Sequence, residues 1–543
     1  MKRYITIIML VLAGLTAPSC SFLEREPDFV SPDFYYETED ELLNALYGVY
    51  NRLIDTNGRM YSKGLFGFFV LSDEFSYTNN FLVGNIRHGT FDAADLDIGR
   101  LWEILYQGIS RANFLIDSYN GEIPESGTRR SVLGEALFMR GYYYFLLTTC
   151  FGEVPLKLTP TTSPNESYLA KSSLEDIYDR IVKDMTAAID LVQDIDVLGT
   201  NERISKTGVQ AVLARVYLKM AGYPLNDPEN PDADALEYYR EALYLCNEVI
   251  SSGKHYLNPD YSQIFINQVQ NINEYHECIW EVGMYGNKIG AEDLAGSVGV
   301  ENGVLCRDES LGYSGGPMTA QKKLFDAFGE GDLRRDWAIA DYQISYNSDT
   351  ETSTLVDLSD ESKETNIWRR NPGKWRRVGR DFSRYESGTL ARLYTATNFP
   401  LMRYSDVLLM KAEAINATDG PTDVAYEAVN QVRRRAYGKP LDTPDATCDL
   451  PSGLSKEEFQ QAVEDERFRE FCFEGIRKWD LIRWGIYVET MQDLAADVMA
   501  TAPEDVYQYC ARAGNNTTER NVLFPIPNTE LTVNKLMTQN PGW

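Results

Sequence analysis

Val407-Leu408-Leu409-Met410-Lys411-Ala412-Glu413-Ala414 and Leu213-Ala214-Arg215-Val216-Tyr217-Leu218-Lys219-Met220-Ala221 share a texture that decides the fold. Each is an apolar helical run with small residues along it and single charges set into it. Each is followed, across a short break (Asp419-Gly420-Pro421 and Gly222-Tyr223-Pro224), by an amphipathic run with an aromatic and an alanine at packing positions, Tyr426/Ala428 and Tyr239/Ala242. Small residues let two helices cross closely while the tyrosine fills the next layer, the pattern of tetratricopeptide-like hairpins. The spacing is irregular, so divergent repeats are expected rather than a regular array. Such a stack is a scaffold with no chemistry of its own.

Outward from these hairpins the helical period continues. Leu42, Leu46, Val49 and Leu53 recur at intervals of four and three, as do Leu101, Leu105, Gly108, Ala112 and Leu115, and Val132, Ala136, Met139, Tyr143 and Leu146. Further amphipathic runs cover about 174–193, 207–221, 234–251, 404–416, 422–437 and 456–474, so the chain is expected to be mainly α. Between 253 and 400 the helical signal mostly fails, and Gly, Asn, Ser, Asp and aromatics take over, around one short strand-like run, Cys278-Ile279-Trp280-Glu281-Val282. Long ordered loops inside a helical protein are uncommon and usually functional. A second such stretch lies at about 60–97.

The 543 residues carry 81 Asp and Glu against 52 Lys and Arg, a formal charge of −29, which argues against phosphate backbones and anionic lipid headgroups as partners. Nucleic-acid binding is therefore not expected. Apolar content of 43% excludes a disordered or collagen-like chain. Tyrosines number 34, more than the 23 phenylalanines, and rings with a polar handle suit surfaces that meet hydroxylated ligands, although core packing must claim most of them.

The N-terminus, Met1-Lys2-Arg3-Tyr4 through Leu15 to Ala17-Pro18-Ser19-Cys20, has the basic start, apolar run and small residues of a signal peptide, and the run is too short to span a bilayer. Small residues directly before Cys20 resemble a lipobox, which makes Cys20 the expected acylated N-terminus, although the usual Leu at the first box position is missing. The alternative is an ordinary signal peptide cut near Ser19, which leaves Cys20 a lone thiol. Cleavage at this point removes 19 residues, including Lys2 and Arg3, and takes the charge from −29 to −31. Multiple acyl chains on one residue anchor stably, at about 0.8 kcal/mol per buried CH₂. The other cysteines (150, 246, 278, 306, 448, 472, 510) are odd in number with no CxxC pair, so they are expected to be small buried hydrophobes rather than a disulfide framework.

Several further segments form motifs that stand in a fixed order along the chain. They include Trp102, Tyr106, Ile109, Ala112 and Asn113 on one helix, and Glu135-Ala136-Leu137-Phe138-Met139-Arg140 through Phe145, leading to Phe151-Gly152-Glu153-Val154-Pro155. Later come Phe399 through Ala414, Glu466-Arg467 through Glu474-Gly475-Ile476-Arg477-Lys478-Trp479-Asp480, and an end of Phe524-Pro525-Ile526-Pro527 and Gln539-Asn540-Pro541-Gly542-Trp543. Taken together these segments resemble the SusD/RagB family of outer-membrane nutrient-binding lipoproteins of Bacteroidetes, with Gly141 where that family usually has Ala and Trp543 where it ends in Tyr. Read for their physics alone, these motifs are framework. Arg140, Arg403, Glu413, Glu474, Arg477 and Asp480 are charges inside apolar runs and must find partners, because an unpaired buried charge is costly. The Pro-rich end cannot continue a helix and should lie over the scaffold as an extended strap.

The resemblance implies a SusD-like fold laid out as a signal peptide at 1–19, the acylated Cys and tether at 20–38, and an N-terminal helical scaffold at 39–252. A loop-rich, small-strand-containing ligand-binding region at 253–400 and a C-terminal helical region with the strap at 401–543 follow. It further implies a lipid-anchored protein of the outer membrane, facing the exterior, that binds an oligosaccharide and serves a SusC-like TonB-dependent transporter. A RagB-like binder of peptides or other nutrients is the alternative. Sugars offer apolar faces ringed by hydroxyls, so loop aromatics with amide neighbours are the candidate contacts. These are Tyr77 and Phe81 with Asn79 and Asn80 in the first loop stretch, and Tyr285, Asn287, Tyr313, Trp337 and Trp368 in the second. Trp102 and Trp280 are flanked by apolar residues and expected in the core. His88, His255 and His276 form no HExxH, no GxSxG, P-loop or dinucleotide motif stands in context, and carboxylate pairs arise by chance among 81 acids, so no catalysis and no cofactor are expected. The Asp92-Ala93-Ala94-Asp95-Leu96-Asp97 run reads as a solvated turn, with a structural Ca²⁺ site as the alternative.

Overall fold

The structure, a computed structural model, describes residues 36–54, 60, 61, 71–78, 85–163, 166, 168–228, 231–286, 295–380 and 394–543. Its long helices up to residue 470 fall where the period of the sequence puts them, and one further long helix, at Tyr487–Thr501, lies outside the expected runs. The N-terminal half is built from α1 (Glu39–Tyr50), α2 (Leu96–Asp117), α3 (Gly127–Phe151), α4 (Leu174–Ile189), α5 (Lys206–Met220) and α6 (Ala233–Ser251). A shorter α7 (Tyr261–Val269) opens the loop-rich region, and α8 (Tyr404–Asp419), α9 (Asp423–Ala436), α10 (Lys456–Glu470), α11 (Arg477–Arg483) and α12 (Tyr487–Thr501) close the chain.

Local chemistry sets the helix ends. Thr38 with Glu41 and Ser455 with Glu458 form reciprocal capping boxes at α1 and α10, each satisfying two otherwise orphan backbone donors. Ser126, Ser173, Ser205 and Asp232 cap α3 to α6 through their side chains. Helix α3 is buried on nearly every side, and α1, α2 and α4 pack around it. Glycine permits the approach: a Cβ on Gly108 would lie 2.5 Å from the Tyr143 ring, and one on Gly141 would press on the Ile181 carbonyl at 3.3 Å. The two expected hairpins are present, α5 on α6 and α8 on α9, and they stack on each other through α6 and α8.

The strands are short and form two-stranded antiparallel pairs: β1 (Phe75–Tyr77) with β3 (Met318–Ala320), β2 (Cys278–Val282) with β8 (Phe399–Arg403), β4 (Ile339–Ala340) with β7 (Asn371–Pro372), and β5 (Tyr342–Asn347) with β6 (Thr352–Asp357). Three of these pairs join segments far apart in sequence, so the loop-rich region is stitched into the body. Buried ion pairs do the same. Arg403 meets Glu277, Glu470 and Glu474, Arg334 meets Asp332, Glu466 and Glu470, and Lys374 meets Glu474.

The embedded motif charges all find partners. Arg140 grips Asp184 with two bonds of 2.7 and 2.8 Å, Arg483 pairs with Glu413 and with Asp480, Arg467 pairs with Asp480, and Arg477 pairs with Asp73. The C-terminal strap is extended at Phe524-Pro525-Ile526-Pro527, where the Phe524 amide donates to the Cys150 carbonyl, and it ends with Trp543 stacked on Phe91 at 5.1 Å. It also holds a short helix, Asn528–Val533, that the prolines conceal in the sequence. The seven cysteines beyond Cys20 are free and buried. Among the described residues no helix is long and apolar enough to cross a membrane.

Candidate functional site

Trp337 sits in a one-turn helix, Arg334–Ala338, that is pinned at both ends. At its start the buried Arg334 guanidinium is held by Asp332 at 2.7 and 2.9 Å and reaches Glu466 and Glu470 of α10 at 2.6 and 3.0 Å. At its end β4 pairs with β7, Ile339 opposite Pro372. The Trp337 ring is half-buried, and the Arg376 guanidinium lies 4.2 Å from its centroid. Arg376 is fixed there by donating to the backbone carbonyls of Gly373, Asp336 and Trp337. Its hydrogen bonds go to carbonyls, not carboxylates, and burial lowers its pKa.

The ring lines a groove of about 470 Å³ together with Pro259, Asp260, Tyr261 and Ser262 at the head of α7, Leu333 and Asp336 beside it, and Arg435 of α9. Asp260 caps α7, accepting from the Ser262 amide at 2.9 Å and from its hydroxyl at 2.7 Å. Asp336 accepts from Arg335 Nε at 2.9 Å. Arg435 spends its terminal nitrogens on Glu277 and Glu470 and lies over the Tyr261 ring at 5.1 Å. Two buried N–H donors among these lining residues, Arg435 Nε and Trp337 Nε1, have no hydrogen-bond partner. An aromatic ring, an exposed leucine and two carboxylates can together meet a ligand that has both an apolar face and hydroxyls.

The remaining expected contacts are scattered. Tyr313 is half-buried. Its hydroxyl accepts from Arg307 at 3.1 Å, and its carbonyl accepts from Arg377, the neighbour of the arginine that braces Trp337. Tyr285 lies just beyond β2 and is 56% exposed. Two expected platforms are core instead. Tyr77 is 5% exposed because it ends β1 opposite Met318, with its ring against Phe75 and under Arg87. Trp368 is 1% exposed, packed with Leu494, Val498 and Ala511 and near the Tyr507 ring. The surface that covers Trp368 comes from α12 and the turn after it, elements far along the chain that its own flanks do not announce. Trp102 and Trp280 are buried, as their apolar flanks predict. Phe81, Asn79, Asn80, Asn287 and Cys20 lie outside the described residues.

A larger cleft of about 920 Å³ runs along α2, floored by Trp102, Tyr106 and Ile109 and closed by the helix Asn528–Val533. Its chief polar groups are already engaged: Tyr106 donates to the Pro155 carbonyl, Asn113 to the Lys157 carbonyl, and Arg100 and Lys157 pair with Glu103 and Glu166. The Asp92–Asp97 turn at its mouth spends Asp95 on the amides of Asp97 and Ile98 as the cap of α2, and Asp92 on the amide of Ala94. The sequence shows the α2 face as a motif but not the cleft, since the opposite wall arrives from the C-terminal strap.

With this geometry in view, the chain matches two family models, one described as "SusD family" over residues 285–543 and one described as "Starch-binding associating with outer membrane" over residues 21–218. SusD-like protein P25 of Formosa agariphila is 24% identical over 98% of either chain. A SusD homolog from Bacteroides thetaiotaomicron, solved as a crystal structure, superposes with a TM-score of 0.82 at 28% identity, over 94% of this chain and 98% of that one. Surface glycan-binding protein A from Bacteroides fluxus shares the fold at a TM-score of 0.69 and 22% identity, over 93% and 100%. Motifs, helical layers and both halves of the chain therefore agree, and the protein belongs to the SusD/RagB family.

Proposed function

We propose that this chain is a glycan-binding lipoprotein of the outer membrane, anchored through Cys20 and facing the exterior, that captures oligosaccharide for a SusC-like TonB-dependent transporter without transforming it. The observation that carries the reading is the groove at Trp337, where a half-buried ring braced by Arg376 stands beside the carboxylates of Asp260 and Asp336. Stacking of a sugar face on an aromatic ring, with hydrogen bonds to its hydroxyls, is the chemistry such a groove can supply. The description of the N-terminal family model as starch-binding and outer-membrane-associating supports the same reading, as does the surface glycan-binding protein that shares the fold.

Calorimetric titration of the soluble chain from residue 21 against a panel of polysaccharides tests the binding. Saturable heat with at least one glycan is expected, and its loss in Trp337→Ala with unchanged thermal unfolding would place it at the groove. Binding of peptides and of no glycan would overturn the reading. In cells, Cys20→Ala should release the protein from the membrane fraction, and pull-down of the wild type should bring a barrel transporter with it.

A further inference from the structure

We infer that a strip of arginines running from the Trp337 ring to Tyr313 holds the carboxylate or sulfate groups of an acidic polysaccharide; the inference rests on the glycan reading above and names the ligand class within it. The strip comprises Arg376 and Arg380 against Trp337, at 4.2 and 5.6 Å from the ring centroid, and Arg307 against Tyr313, at 5.9 Å. Backbone contacts hold its two ends together. Arg377, next to Arg376, donates to the Tyr313 carbonyl, and the Arg307 amide donates to the Ile344 carbonyl of β5. Arg376 in turn lies 5.7 Å from the ring of Tyr342, in the same strand.

The first argument is that these guanidiniums have no carboxylate in contact. Elsewhere in the fold arginines are matched to acids: Arg403 and Arg334 meet three each, Arg435 and Arg467 two each. In the strip Arg307 donates to the Tyr313 hydroxyl at 3.1 Å and to the Gly315 carbonyl at 3.3 Å, and Arg376 donates through Nε and Nη2 to carbonyls alone. Among the described residues the Arg380 guanidinium makes neither hydrogen bond nor ion pair, and its place is set by the Trp337 ring. The strip can be reached. Arg307 is exposed, Arg376 and Arg380 are partly so, and while Arg380 Nε is covered, its terminal nitrogens and Arg376 Nη1 are not enclosed. A guanidinium stacked on a ring keeps its N–H edge free for paired bonds to a carboxylate or sulfate.

The second argument is what the neighbouring acids do. Asp336 accepts from Arg335, which also meets Glu361, and Asp308 accepts from Ser310 and Ser353. Asp341 and Asp336 act on Arg376 from a distance, and burial still lowers its pKa, so they do not offset the cost of its charge. An anionic group of the ligand supplies what they leave short. The net charge of −29 repels a polyanion at long range, but salt screens that repulsion beyond about 8–10 Å, and at contact the strip decides. The rings of Trp337, Tyr342 and Tyr313 are all partly exposed and offer apolar area to the sugars between the charges. Trp337 also lines the groove, so a chain with one unit there can continue over the strip.

The test is calorimetric titration of the soluble chain from residue 21 with oligogalacturonides, sulfated galactan oligosaccharides and neutral gluco-oligosaccharides of equal length. The proteins are wild type, Arg307→Gln, Arg380→Gln, the double variant, and Arg240→Gln, which removes the same charge from an exposed helix pair far along the chain. Acidic oligomers are expected to bind about tenfold or more tighter than neutral ones and to lose about tenfold when NaCl rises from about 50 to about 300 mM. Each single strip variant should weaken acidic binding about threefold to tenfold and leave neutral binding unchanged, while Arg240→Gln changes neither. Preference for the carboxylate or for the sulfate arm names the anion, and either supports the inference. Thermal unfolding of each variant separates loss of the strip from loss of the fold. Neutral oligomers that bind as tightly as acidic ones, with no response to salt, overturn the ligand class while the glycan reading stands. Acidic binding that survives the double variant overturns the strip as its site. Absence of binding to every glycan overturns the reading beneath both.

Discussion

At the scale of single residues, the charges in apolar runs are the informative ones. Arg403 is 2% exposed and contacts Glu277, Glu470 and Glu474 within 3.0 Å, so it joins β8 to α10 and to the turn after it. Removing one member of a buried set leaves its partners charged and dry. Arg403→Ala is therefore expected to cost about 3–5 kcal/mol in urea unfolding, far more than a surface arginine. Glu74 behaves in the opposite sense. Burial, and then the nearby Asp73 carboxylate, push its pKa up to about 8 from the usual 4.5, while its carboxyl accepts from the Phe473 amide at 3.1 Å and from Ser72. The folded state holds this proton more tightly than the unfolded chain, so the group's effect on stability worsens as pH rises from 4.5 to 8. Glu74→Gln, neutral at every pH, should match wild type in stability near pH 4 and exceed it near pH 8.5 by an amount on the order of a few kcal/mol. Equal stabilities at the higher pH would show that Glu74 is ionised at no cost.

At the scale of elements, helix crossings decide how tolerant the scaffold is. Gly108 faces Tyr143 across the α2–α3 contact, and the Tyr143 hydroxyl is itself tied to the Val49 carbonyl of α1, so the ring has no room to yield. Gly108→Ala should destabilise by about 1–3 kcal/mol in thermal or urea unfolding even though alanine is the better helix former, because overpacking outweighs propensity. A neutral result would mean that α1, α2 and α3 shift together. This layer of the fold was legible in the sequence because it is periodic: Leu101, Leu105, Gly108 and Ala112 mark the buried stripe of α2 before any partner is known. The helix α12 escaped, since Tyr487, Met491, Leu494 and Val498 follow a Trp-rich turn and no hairpin partner stands beside them in the chain. The candidate site was legible only in part. Trp337 was found as a loop aromatic, but Trp368 looks the same in sequence and is core, because what separates the two is a surface supplied by α12. Arg435 and Asp260 could not be singled out, for each reads as an ordinary helical residue until the groove brings them together.

For the whole molecule, buried ionisable groups of two kinds set a pH profile with more than one turning point. Asp73 and Glu466 are buried, yet arginines beside them, Arg477 and Arg334 foremost, hold both at about 2, against 3.8 and 4.5 in an open chain. Between those values the unfolded chain binds more protons, so stability rises with pH from about 2 to 4.5. Burial raises Glu74 to about 8 and Glu281 and Glu464 to about 7, so from 4.5 upward the folded state is the one that holds extra protons, and stability falls until about pH 8. Burial also lowers Lys219 to about 7 and Lys478 to about 8 from the usual 10.5, so above pH 7 the unfolded chain again binds more protons and stability recovers. Urea midpoints should therefore peak near pH 5, dip between about 7 and 8, and climb again toward pH 9. A single broad maximum across neutrality would show that the raised carboxyls and lowered lysines are solvated in the folded protein. Ligand binding should follow a simpler course. Both walls of the Trp337 groove hang on Arg334 and Arg435, whose partners Glu466 and Glu470 are held in the charged form well below the usual carboxylate range. The groove should then keep its shape through the neutral dip in stability, and glycan affinity measured by calorimetry should be level from about pH 5 to 9 and collapse only as Glu466 is protonated toward pH 2.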